Sequence, residues 1–199
     1  MFDLEETRAI YKELTKDFFQ DPMLIEETTN WNGSYYLYVH VYGKFTLHER
    51  NSEKSDPHNF AKLYRSYPYG QCYKHRMIEQ HDGIEYEVPY YTFVHNEYER
   101  ICKPLTDRLL AEYEITGWAW FSQMGTLGQL FWHTDKYQCY RLHYVVENNG
   151  IDPSVETRDD AIFAKPGETF TFDPSEEHRV FNSSGHRLHL VASARKTDD

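Results

Sequence analysis

A chain of 199 residues, 17% of them aromatic, is long enough to bury a core and too aromatic to stay disordered. Its formal charge of −11, from 21 basic against 32 acidic side chains, repels phosphate backbones and anionic lipid, which excludes nucleic acid and membranes as default partners. The three cysteines, Cys72, Cys102 and Cys139, are widely spaced and form no CxxC pair, so they predict free thiols in a reducing compartment and exclude a zinc ribbon.

The opening MFDLEETRAIYKEL lacks the basic-then-apolar order of a secretory leader, and no window approaches the ~20 apolar residues of a membrane span, so a cytoplasmic protein is expected. Asp3 followed by Glu6 resembles a helix start, and Tyr11, Leu14 and Phe18 recur at helical spacing until Asp21-Pro22. This predicts a helix packed on the outside of a sheet. Residues 34–48 (SYYLYVHVYGKFTLH) read as two strands turning at Gly43-Lys44, with His40 and His48 as ordinary strand histidines. A polar loop follows over 49–59. Asp56-Pro57 opens a short helix through Leu63, and Ser66 to Gly70 turns the chain. Residues 71–80 and 84–88 read as strands joined by His81-Asp82-Gly83. Tyr90 to Tyr113 carries mostly helical spacing, split by Pro104, with Glu97, Glu99, Arg100 and Asp107 as solvated charges.

Beyond Gly117 the pattern is short strands: 118–124, 129–135, 139–147, 161–165, 169–173, 177–182 and 187–193. Gly125, Gly128, Asn148-Asn149-Gly150, Pro166-Gly167 and Ser183-Ser184-Gly185 separate them. Helical material early and strands late predict a β-sandwich or barrel with helices backed against it. No repeat, low-complexity tract or linker interrupts the chain, so one domain over 1–199 is expected, with helices and outer strands in 1–117 and the core strands in 118–193.

His133-Thr134-Asp135 ends an apolar strand, Leu130-Phe131-Trp132. Alternate strand side chains share a face, so His133 and Asp135 point at one spot, which His178 can reach from another strand. Two imidazoles and one carboxylate leave three metal positions open, the arrangement of non-haem Fe(II) oxygenases. His-x-Asp alone is weak evidence. Arg187, in a later strand, adds to it. Such enzymes commonly draw electrons from a 2-oxo acid, whose far carboxylate a two-pronged guanidinium matches. An Arg187 that faces solvent or pairs with an acidic neighbour is the plainer alternative.

The order Phe121-Ser122-Gln123-Met124, Gly125, His133-Thr134, Arg141-Leu142-His143, then Phe172-Asp173-Pro174-Ser175, Glu177-His178 and Arg187-Leu188 resembles the aspartyl/asparaginyl β-hydroxylase family of Fe(II)/2-oxoglutarate oxygenases, over residues 118–193. The resemblance implies a mainly β domain with flanking helices, a double-stranded β-helix (jelly-roll, cupin-like). It implies Fe(II), 2-oxoglutarate as co-substrate, O2, and hydroxylation of an amino acid, free or within a peptide or protein. Position by position, His133 and His178 match the iron-binding histidines. Arg187 and Ser122 match residues that hold the distal carboxylate of 2-oxoglutarate. Arg141 and His143 match those contacting its iron-proximal carboxylate. Being two apart, they share a strand face, and as cations or donors they suit an acid. No catalytic residue beyond these is implied.

One position departs from the family. Its best-known members carry Gly after His-Thr, whereas Asp135 restores a carboxylate here, as in the related bacterial proline hydroxylases. Asp135 is therefore taken as the third ligand, and the epidermal-growth-factor-domain substrate of the namesake enzymes is set aside. Lesser candidates are His189, on Arg187's face; His186, in a turn and exposed; Cys139 as packing; Trp118, Trp120 and Trp132 as core; and Asp173 as a hydrogen-bond partner near His178. The rival readings are a metal-binding jelly-roll module without oxygenase activity, and an oxygenase acting on another class such as a nucleobase. The partner expected is a small-molecule or peptide substrate; nothing in the residues specifies an oligomeric state.

Overall fold

The strands of the second half differ in burial: Arg187–Ala194 is buried on both faces, whereas Thr169–Phe172 is largely exposed. The computed structural model describes residues 2–16, 36–41, 62–81, 84–113, 115–135 and 139–194. The first half contains α1 (Leu4–Thr15), β1 (Tyr36–Val41), β2 (Lys62–Tyr67), β3 (Gly70–His81), β4 (Ile84–His95), α2 (Tyr98–Ile101) and α3 (Lys103–Glu112). The second contains β5 (Ile115–Met124), β6 (Gly128–His133), β7 (Tyr140–Glu147), β8 (Val155–Thr157), β9 (Ala161–Ile162), β10 (Thr169–Phe172), β11 (His178–Asn182) and β12 (Arg187–Ala194). Among the described residues no helix is long and apolar enough to cross a membrane.

Strands β5 to β12 pair as a folded ribbon: β5 with β12, β6 with β11, β7 with β10 and β8 with β9, all antiparallel. The ribbon winds through two sheets. One has the order β10-β7-β12-β5, extended by β1-β4-β3-β2; the other has the order β6-β11-β8-β9. This is a double-stranded β-helix, the jelly roll expected. The extension joins through β1, which lies antiparallel to β5 and parallel to β4.

Parity decides what each face of the large sheet does. Leu188, Leu190, Ala192 and Ala194 of β12 and Leu142, Tyr144 and Val146 of β7 turn outward, onto Ile10, Tyr11 and Leu14 of α1 and Leu105 and Leu109 of α3. Phe2 and Tyr11 add ring contacts, to Tyr144 at 4.9 Å and Phe121 at 5.2 Å. A smaller cluster, Met124, Val155, Phe172 and Val180, lies between the sheets. Much of the rest of the inner face is polar and buried, including Ser122, His143, Arg187, His189 and Ser193, with Val191 among them. At the end of β6 and β11 away from His133, Asn182 Nδ2 donates to the carbonyls of Gly125 (2.8 Å) and Gly185 (3.0 Å), tying two loops together.

Helix α1 starts as expected: Asp3 is its N-cap and accepts from Glu6 N at 2.7 Å. Three expectations need correction. Tyr90 to His95 is strand, because aromatic and β-branched YYTFVH lies between two partners, β3 and β1, and sheet pairing overrides its loose helical spacing. Helix begins only at Tyr98, and Pro104 sits in the first turn of α3, where a missing N–H costs nothing. Leu63, expected to end a short helix, lies in β2. Strand β8 was not expected; three residues are too few to show a period. The turn at Gly43-Lys44, the loop at 49–59, His48, Phe18 and Asp82-Gly83 lie outside the described residues.

The outward core predicts a contrast. Leu105→Ala, at a fully buried position under the large sheet, lowers unfolding free energy by about 2–5 kcal/mol in urea denaturation, and Asp3→Ala by about 1 kcal/mol.

Candidate metal centre

His133 closes β6 and His178 opens β11, and the two are register partners with ring centroids 4.3 Å apart. Asp135 follows two residues on, its N–H donating to Pro174 O at 2.8 Å, which binds the end of β6 to the turn before β11. One donor atom from each of His133, Asp135 and His178 lies within 4.8 Å of the others. The structure thus brings together all three residues expected to converge.

The rings are aimed by their own backbone. His133 Nδ1 contacts Phe131 O at 2.7 Å, and His178 Nδ1 contacts Glu176 O at 2.8 Å. A carbonyl only accepts, so each Nδ1 carries the proton and each Nε2 keeps its lone pair. Burial holds His178 below the ordinary histidine value, against the opposing pull of the Glu176 carbonyl, which favours the neutral ring a metal requires. Arg141 donates to Asp135 Oδ2 from Nε (3.1 Å) and Nη2 (2.6 Å). Arg141 also bonds Ser193 Oγ and lies 5.3 Å from the Trp120 ring centroid. Two imidazole nitrogens and a carboxylate oxygen, each oriented by a second bond, fit a divalent transition ion.

The same residues line one cavity of about 140 Å³ between the sheets, together with Ser122, Arg141, His143 and Arg187. Arg187 opens β12 and is only 4% exposed, so the solvent-facing alternative fails. Its Nη2 donates to Ser154 O at 2.7 Å and to His189 Nδ1 at 3.2 Å. Ser154 precedes Thr157, the register partner of His178, by three residues, which puts it roughly 10 Å along the strand from the histidine level. Ser122 is buried and opposite His189.

His143 shares Arg141's face as expected, stacked on Phe170 at 4.9 Å. It is not a cation: burial first, then the Arg187 and Arg141 guanidinium groups, hold it well below the ordinary value. His189 is buried beside it, and His186 is exposed. Trp120 lines the cavity instead of filling core. Trp132 is half-buried with Arg158 and Arg179 over its ring at 4.0 and 4.8 Å, again not core; nothing is described of the Trp118 side chain. Cys139 is half-buried, its Sγ 3.9 Å from Arg141 Nη1. Asp173 accepts from Ser175 N and Oγ at 2.9 and 2.6 Å and shapes the turn, while the His178 Nδ1 partner is the Glu176 carbonyl. Ser193 was overlooked, though its parity with Arg187 signalled it. The carbonyls of Phe131, Glu176 and Ser154 have no sequence signal at all.

No protein-family model and no curated protein sequence matches the chain. Among solved structures, a DMSP lyase from Ruegeria pomeroyi is 9% identical and aligns over 98% of this chain and 94% of its own, with a TM-score of 0.35. A Pseudomonas putida prolyl-4-hydroxylase is 10% identical over 86% and 97%, with a TM-score of 0.28. A Bordetella pertussis cupin domain is 16% identical over 39% and 80%, with a TM-score of 0.32. Overlaps this low decide nothing about chemistry. The strand order itself makes the fold a jelly roll.

Two outcomes follow from this geometry. His133→Ala and His178→Ala abolish stoichiometric Co(II) binding in calorimetric titration, and Arg141→Ala, which frees the Asp135 carboxylate, weakens it about 10–100-fold. His143 and His189 both resist protonation in the folded state, whereas the unfolded chain protonates them below about pH 6.5. Stability is therefore complete above that pH and falls below it, by up to about 1.4 kcal/mol per pH unit for each proton, as melting temperatures from pH 7.5 to 5 record.

Proposed function

We propose that this chain is an Fe(II)- and 2-oxoglutarate-dependent dioxygenase that hydroxylates an amino acid, free or within a peptide or protein. The observation that carries the reading is one cavity faced both by the His133, Asp135 and His178 donors and by the buried Arg187. The sequence resemblance over 118–193 supports it independently. His133, Asp135 and His178 would hold the iron, and Arg187 with Ser122 the distal carboxylate of the co-substrate. Bound there, ferrous iron supplies the redox chemistry by which O2 is reduced with electrons from the 2-oxo acid.

The chain's own residues bind and orient. Arg187 offers a permanent charge with paired donors, and Ser122 a hydroxyl beside it. Two guanidinium groups facing one cavity make a basic pocket within an acidic chain, which suits a dianion. Leu130, Val155 and Val180 line the same space and limit its water, which strengthens each charge interaction inside. Arg141 fixes one oxygen of Asp135 and leaves the other for the metal. Substrate contacts would come from the first half of the chain. The joint presence of Arg187, Arg141 and Ser122 in one cavity favours the enzyme over a metal-binding module without oxygenase activity.

Adding 2-oxoglutarate to the anaerobic Fe(II)-loaded protein is expected to produce a weak visible charge-transfer band, and Arg187→Ala to weaken co-substrate binding about 10²–10³-fold. An unchanged band and affinity in Arg187→Ala would remove the pocket assignment. No band in the wild type favours the module. A succinate-release screen across amino acids and peptides then identifies the substrate.

A further inference from the structure

His189 has no task in the chemistry proposed above, yet it is completely buried on the inner face of β12, between Arg187 and His143. Arg187 Nη2 lies 3.2 Å from its Nδ1, and His143 Nδ1 lies 3.1 Å from the same atom. A guanidinium has only donors, so His189 Nδ1 carries the lone pair and Nε2 the proton. His143 then meets that nitrogen only as a donor, which puts its own proton on Nδ1 and its lone pair on Nε2.

Neither ring escapes the choice by taking a second proton. Burial first, then the Arg187 guanidinium, hold both imidazoles well below the ordinary histidine value. The Nε2–H of His189 finds no acceptor among the described residues. Nε2 is left without a partner in either tautomer, so it does not decide between them and the choice falls to the contacts at Nδ1.

We propose that His189 is a positioning residue that accepts from Arg187 and His143 at a single nitrogen and so sets the direction of the guanidinium and the tautomer of His143 together. Its consequence for co-substrate binding rests on the dioxygenase reading; the tautomers do not. With Nδ1 engaged by His189, His143 offers the cavity an acceptor, Nε2. A carboxylate oxygen is also only an acceptor, so the group that meets His143 is an N–H or O–H, and not the iron-proximal carboxylate the family resemblance implies.

The test has two arms. Two-bond 1H–15N correlation spectra of the full chain, labelled at histidine and assigned with His189→Asn and His143→Gln, are expected to place protons on His189 Nε2 and His143 Nδ1. A proton on His189 Nδ1 or on His143 Nε2 overturns the relay, and wild-type spectra decide this without a destabilising variant. In anaerobic titrations of the Fe(II)-loaded protein, His189→Leu weakens 2-oxoglutarate binding about 10-fold or more, with metal affinity unchanged. His189→Asn, whose Oδ1 accepts where Nδ1 did, returns it to within about 3-fold of wild type. Equal losses in the Leu and Asn variants, or none in the Leu variant, overturn the positioning role. If wild-type protein binds no 2-oxoglutarate, the dioxygenase reading falls and the spectra alone judge the relay.

Discussion

His133 and His178 face each other because β6 and β11 pair in one register, and much of the inner face follows from that pairing. Side chains alternate along a strand, so a slip of one residue turns a whole set of inward groups to the opposite face. Ring direction is then set locally. Each histidine hydrogen-bonds the carbonyl two residues before it, through Phe131 and Glu176. The segment that supplies the ring also aims it, without help from a distant side chain. Asp135 lacks this local device and is held from two sides, by the Pro174 carbonyl and by Arg141.

The large sheet divides stability from chemistry. Its outer face packs Leu188, Leu190, Leu142 and Tyr144 beneath α1 and α3, where apolar burial is continuous. Its inner face carries Arg187, His189, His143 and Ser122, groups that cost free energy to bury unless bonded. Most of the apolar packing that offsets this cost lies across the backbone, one residue away along each strand. Between the sheets, among the described residues, the buried Met124, Val155, Phe172 and Val180 form a smaller cluster, with Leu130, Ile162 and Phe170 packed against it. The flanking helices are thus part of what makes a polar interior tolerable.

The inner face was largely legible in the sequence because period two is a strong constraint. His133 with Asp135, Arg141 with His143, and Arg187 with His189 each reveal a shared face by spacing alone. The antiparallel order of β5 to β12 was legible only through turn residues, and β8 escaped because three residues show no period. Tyr90 to His95 misled because weak helical spacing lost to two flanking strands. What single residues do once they meet was not legible. Trp120 and Trp132 read as core by size, yet one lines the cavity and the other lies under two arginines. Hydrogen-bond roles depend on which partner arrives, and His143 is held uncharged, 3.1 Å from His189 Nδ1, through a contact that no spacing rule contains.

Asp135 and Arg141 are best understood as one unit. In family members with Gly after His-Thr, the arginine of Arg-x-His has no carboxylate at that position to answer, and its charge is available to an acid on the metal. Here Arg141 directs Nε and Nη2 to Asp135 Oδ2 and Nη1 toward Ser193, with Trp120 against the guanidinium. The Asp135 carboxylate therefore adds a donor atom to the cluster with His133 and His178 and at the same time engages a cation that the resemblance would assign elsewhere. A buried guanidinium pairs with the nearest charge that satisfies it, and for Arg141 that charge is Asp135. With His143 also in contact with His189, both side chains of the pair have partners within the protein. Arg187, by contrast, has its Nη2 held by a backbone carbonyl and an imidazole at a depth set by the strands.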